Sequence, residues 1–112
     1  MTAGRLHSVE EVWSELWVSL ASLLRSYTAV HGLSRSSHAV VEQDKDRIVA
    51  QHGSKWLELG RHGATITWKR EDGNWGTLEL TDTGRLLSHS GEEEMDLAAE
   101  AWARELMREL ER

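Results

Sequence analysis

Cysteine, proline and phenylalanine are all missing from this 112-residue chain. Without cysteine there is no disulfide framework, no thiolate zinc site and no thiol nucleophile. That absence suits a reducing compartment, and a cytoplasmic location is expected. Without proline, no strand is forbidden by a missing amide donor. No run of about 18 apolar residues exists, so no membrane span is expected. The segment Met1–His7 is short and polar, without the apolar centre of a signal peptide. Basic residues are also scarce: 13 Lys and Arg stand against 19 Asp and Glu, for a net charge of −6. Nucleic acid is therefore not an expected partner, because phosphates call for a basic stripe. A basic partner or a cation is compatible with that balance, as is simple solubility.

What is present fits one domain, residues 1–112, with one core. Two helices frame it. Ser8 and Glu11 have the spacing of a capping box. After them Val9, Val12, Trp13, Leu16, Trp17, Leu20, Leu23, Leu24 and Tyr27 recur at helical spacing on one arc. Gly32 is the expected stop. At the other end Ser90 and Glu93 form a second capping box, and Glu92–Glu94 complement the helix dipole. Met95, Ala98, Ala99, Ala101, Trp102, Leu106 and Leu110 supply that helix's apolar side.

Between the helices lie short runs at Ala39–Gln43, Arg47–Gln51, Lys55–Leu59, Ala64–Arg70, Trp75–Thr81 and Arg85–Ser88, separated by Gly- and Asp-rich turns. The links are too short for parallel crossovers. The expected fold class is α+β, two terminal helices packed on one face of an antiparallel meander of five or six strands.

Six tryptophans are present. Trp13, Trp17 and Trp102 lie on helix apolar arcs and are assigned to the core. For Trp56, Trp68 and Trp75 the strand register decides. With Leu78 and Leu80 facing the helices, a turn at Asp72-Gly73 pairs Arg70 with Trp75, Trp68 with Thr77 and Ile66 with Glu79. A three-residue loop Arg61-His62-Gly63 then sets Trp56 opposite Trp68. Trp56, Ile66, Trp68 and Trp75 would form one exposed, partner-binding patch. Shifting one turn by a residue instead places Ile66 and Trp68 inside, and local physics leaves both registers open.

Several spacings resemble the frataxin family. His52-Gly53-Ser54-Lys55 resembles its bacterial hairpin turn, and Trp68 falls where the family has a signature strand tryptophan. Leu78-Glu79-Leu80 is similar to an apolar–acidic–apolar strand end. Ser88-His89-Ser90-Gly91 with Asp96-Leu97 resembles the opening of the last helix, and Leu16-Trp17 a pair in the first. The resemblance implies a two-helix sandwich that serves iron–sulfur cluster assembly. It further implies weak iron binding through an acidic ridge, and docking on a cysteine desulfurase and its scaffold protein through that ridge and the sheet face holding Trp68. On this chain the metal candidates become Glu10, Glu11, Glu15, Asp44 and Asp46, whose carboxylate oxygens suit a hard cation. The resemblance favours the exposed placement of Trp68.

The ridge is short here, since serines and Arg25 follow Glu15 on the helix. The same carboxylates also serve as helix-start charges. The six histidines, His7, His31, His38, His52, His62 and His89, lack close-pair metal spacing. No phosphate loop, nucleophile elbow or triad is visible. The chain is not expected to be an enzyme, the family's ferroxidase activity included, and it is expected to be a monomer. Two functions follow: a frataxin-like accessory protein, or a metal-independent interaction module of adaptor or inhibitor type on the same fold.

Overall fold

The computed structural model describes residues 2–32 and 39–108, with side chains from Glu10 onward in the first helix. The side chains of His7, Ser8 and Val9, and residues His38 and Leu110, lie outside the described residues. Helix α1 spans Thr2–His31 and α2 spans Met95–Met107. Between them run β1 (Val40–Gln43), β2 (Arg47–His52), β3 (Lys55–His62), β4 (Thr65–Arg70), β5 (Trp75–Leu80), β6 (Arg85–Ser88) and β7 (Gly91–Glu94). All seven pair antiparallel in chain order, giving an uninterrupted meander. The architecture is α+β, with both helices on one sheet face.

Alternation fixes that face. Ile48 and Ala50 on β2, Leu57 and Leu59 on β3, Ile66 on β4, Leu80 on β5 and Leu86 on β6 are buried. They meet Trp17, Leu20, Ala21 and Leu24 of α1, and Ala98, Ala99 and Leu106 of α2. Trp17 is 1 % exposed, whereas Trp13 and Trp102 are partly buried against the same core.

Turn chemistry corrects the register expected from sequence. The β4–β5 loop closes over three residues, Glu71-Asp72-Gly73. The Gly73 amide donates to the Arg70 carbonyl at 3.0 Å, and the Arg70 amide to the Asn74 carbonyl at 2.9 Å. Gly73 has φ +90°, the left-handed position that ends a three-residue hairpin loop. Lys69 therefore pairs with Trp75, Trp68 with Gly76 and Ile66 with Leu78. The β3–β4 connection is Gly63-Ala64, because His62 pairs with Thr65. One residue of slip moves every side chain to the other face. Ile66 and Trp68 thus face the helices, and Ile66 is 0 % exposed. The shift relieves the cost of the expected register, which set Thr65 and Thr67 over the core.

Both helix starts differ from expectation. The α1 backbone is helical from Thr2, so Ser8 lies within the helix and not at its cap. The residues Gly91–Glu94 are a seventh strand: Leu86 pairs with Glu93 and Ser88 with Gly91. Glu92 and Glu94 each place a carboxylate 3.5 Å from the Arg85 guanidinium, which holds them on the strand. Glu94 is the N-cap of α2 and makes no side-chain cap bond. Gly32 does stop α1, its amide returning to the Thr28 carbonyl at 3.0 Å.

The helices run parallel to each other. The Tyr27 hydroxyl donates to Asp96 Oδ1 at 2.6 Å, and His31 Nε2 lies 3.0 Å from Glu100 Oε2, so both links step forward together along the two helices. The hydrogen bond to Asp96, then partial removal from water and the charges of Asp96 and Glu100, raise the Tyr27 pKa above its ordinary 10.0. The neutral phenol is the bonded form, so its contribution is complete below about pH 10, the unfolded value, and is lost as pH climbs through the higher folded value. Tyr27 is the sole tyrosine, which makes tyrosinate absorbance at 295 nm specific to it. A titration midpoint above 10 is expected, falling towards 10 in Asp96→Asn. A wild-type midpoint at or below 10 would show that this bond does not form in solution.

Candidate functional site

Two regions collect the residues singled out from sequence. The first is the acidic end of the molecule. Glu10, Glu11 and Glu15 are exposed on α1, and Asp44 and Asp46 are exposed in the β1–β2 turn. Trp17 Nε1 donates to the Asp44 carbonyl at 3.0 Å, which ties that turn to the helix. Asp44 Oδ1 accepts the Lys45 amide at 2.8 Å, so this carboxylate braces its own turn. The Asp46 carbonyl accepts the Arg61 amide at 2.8 Å.

Arg61 is the residue that sequence reasoning missed here. It was assigned to a turn, but it continues the inward alternation of Leu57 and Leu59, and its side chain is 4 % exposed. The guanidinium stacks over Trp17 at 5.9 Å, donates to the Gly63 carbonyl at 2.9 Å and lies 3.6 Å from the Glu10 carboxylate. A cation fixed beside Glu10 competes with a metal for that carboxylate. Among the described residues no three His, Asp or Glu side chains gather in a way that could hold a metal ion. The five metal candidates are thus not gathered into a three-ligand cluster among the described residues. His31 and His52 are engaged with α2, His52 through Nδ1 to the Leu106 carbonyl at 3.4 Å.

The second region is the sheet face turned away from the helices. Trp56 on β3 and Trp75 on β5 both point there, as expected; Ile66 and Trp68, expected beside them, do not. Trp75 is 66 % exposed. The two indoles line one shallow groove of about 550 Å³, with Thr67 and Lys69 of β4 on its floor and Asn74 at its end. The Trp56 amide donates to Glu71 Oε1 at 3.0 Å, which anchors the rim. Elsewhere on this face several charged side chains meet cross-strand partners. Arg47 Nε meets Glu58 Oε2 at 2.7 Å, the Thr65 hydroxyl meets Glu79 Oε2 at 2.8 Å, and Arg85 meets Glu92 and Glu94. Lys69 has no ion pair among the described residues, although it stands between the strands that carry the two tryptophans.

Trp68 lies instead on the covered side, across Gly76. A Cβ added to Gly76 would come 2.7 Å from Trp68 Nε1. The Arg70 guanidinium sits over the Trp68 ring at 5.3 Å. A docking contact through an exposed Trp68, as the frataxin resemblance implies, is thus not offered by this register. No family model, curated protein or solved structure matches this chain.

Proposed function

We propose that this domain is a metal-independent protein-interaction module, and that its open sheet face grips a partner segment bearing acidic and aromatic side chains. One observation carries the reading: Trp75, two-thirds exposed, shares a groove with Trp56 around Lys69, which has no ion pair among the described residues. Exposed tryptophans are costly to display, and at interfaces tryptophan is among the residues that most often anchor binding. The Lys69 ammonium in the groove, without an ion pair among the described residues, favours a carboxylate-bearing partner. The competing reading is the iron-linked accessory role. It is supported by the helix–sheet–helix order and opposed by the placement of Trp68 on the helix side of the sheet and by Arg61 beside Glu10.

The test begins with peptides selected from a random library on the wild-type domain. Enrichment of Asp or Glu beside aromatic residues is expected, with binding at least tenfold weaker to Trp75→Ala and to Lys69→Glu. Peptides that bind both variants as well as wild type would overturn the proposal. A parallel titration with ferrous iron, followed by amide NMR, separates the two readings. Saturable shifts at Glu10, Glu11, Glu15, Asp44 and Asp46 would favour the iron-linked role.

A further inference from the structure

A second recess lies on the opposite side of the sheet, between β4–β6 and α2. Its volume is about 360 Å³, within the range of small-ligand sites. It exists because α2 turns small side chains, Ala98 and Ala101, toward that part of the sheet. The apolar lining is Trp68, Leu78, Leu86 and Trp102, of which only Leu86 is fully buried. The core therefore leaves two indole rings and a leucine partly uncovered inside a concave wall.

The polar lining is selective. Arg104 is paired with Glu100 at 2.8 Å, and Arg108 with Glu105 at 3.1 Å. Arg70 is different. It lines the recess, it is held over the Trp68 ring, and it has no ion pair among the described residues. Its Nε is buried and has no hydrogen-bond partner among the described residues. Buried donors in folded proteins are rarely left unsatisfied, and a guanidinium fork matches a carboxylate with two parallel hydrogen bonds. Glu93 and Glu105 also line the recess. Their negative charge disfavours a dianion such as a phosphate monoester, while a single carboxylate is tolerated beside three arginines.

We infer that this recess is a binding site for a small monocarboxylate with a flat apolar body. The carboxylate would accept hydrogen bonds from Arg70, and the body would pack on Trp68 and Trp102. Arg70 borders both this recess and the open-face groove, but the tryptophans differ, Trp68 and Trp102 here and Trp56 and Trp75 there, so the indole resonances tell binding at the two sites apart.

The probe is 1-naphthylacetate, titrated into the full chain and followed through the six indole N–H resonances. Saturable shifts of the Trp68 and Trp102 indoles are expected, with Trp56 and Trp75 unmoved. The uncharged 1-naphthylacetamide should bind at least tenfold more weakly, and 1-naphthyl phosphate more weakly than the carboxylate. Arg70→Met keeps the apolar stem and should abolish the preference for acid over amide, and Arg70→Lys should restore part of it. The inference is overturned by an absence of binding, by equal binding of acid and amide to wild type, or by tighter binding of the phosphate. Shifts confined to Trp56 and Trp75 would overturn it as well. A wild-type-like amide spectrum for Arg70→Met establishes that lost preference is not lost folding.

Discussion

Trp17→Ala should lower the unfolding free energy by about 3–5 kcal/mol, the range for emptying a fully buried aromatic site. Against a total of about 5–15 kcal/mol for a domain of ordinary stability, this variant sits near the edge of folding. The reasons extend beyond apolar area. Trp17 is 1 % exposed, its Nε1 binds the Asp44 carbonyl at 3.0 Å, and its ring carries the Arg61 guanidinium at 5.9 Å. Truncation opens a cavity, frees the β1–β2 turn and strips the aromatic face from a buried cation. Trp17→Phe keeps most of the packing and loses the hydrogen bond, so it should cost less than the alanine change. Urea denaturation followed by circular dichroism checks both. A loss below about 1 kcal/mol for Trp17→Ala, the level of a single hydrogen bond, would show that Trp17 is not the centre of the core.

Gly76→Ala should also destabilise, by about 1–3 kcal/mol, through overpacking. Its new methyl would fall 2.7–2.9 Å from three atoms of the Trp68 indole. The ring has to leave its position over the strand, and the stack with Arg70 goes with it. Gly60→Ala is the matched control. Gly60 is also a strand glycine without a left-handed φ, but an added Cβ there meets nothing within 4 Å. That change should be neutral or slightly stabilising, since glycine weakens a strand interior. The double variant Trp68→Ala/Gly76→Ala removes both sides of the clash, so its cost should fall short of the sum of the single changes. Equal stability of Gly76→Ala and Gly60→Ala would place Trp68 on the other sheet face.

That pair of residues marks where the sequence stops being legible. The alternations Leu57/Leu59 and Leu78/Leu80 each specify a face, and the helical spacing from Val12 to Tyr27 specifies another surface to cover it. These are repeated signals, and the α+β meander follows from them. A register depends on one loop's length, and both Asp72-Gly73 and Gly63 admit closures that differ by a residue. Local sequence does not choose between them; the gain from burying Ile66 does, and that is a tertiary quantity. The seventh strand was hidden for a related reason. Glu92, Glu93 and Glu94 have the composition of a helix start, and the pairing with β6, reinforced by Arg85 against Glu92 and Glu94, holds them extended. Arg61 is a further inward position readable from period-two spacing, as the next step after Leu57 and Leu59, because β3 continues to His62.

The unbroken strand order bears on how the chain reaches this structure. Each strand meets the one just before it, so the sheet can be assembled hairpin by hairpin, each closing a short loop at modest entropic cost. Such nearest-neighbour assembly keeps contact order low for a β-rich domain, which favours rapid folding. The slow, distant step is then the meeting of the two helices, whose Tyr27–Asp96 link spans 69 residues. Until it is made, the inner surface of a finished sheet faces water. The stretch of chain that closes the structure is also the one that protects it from aggregation.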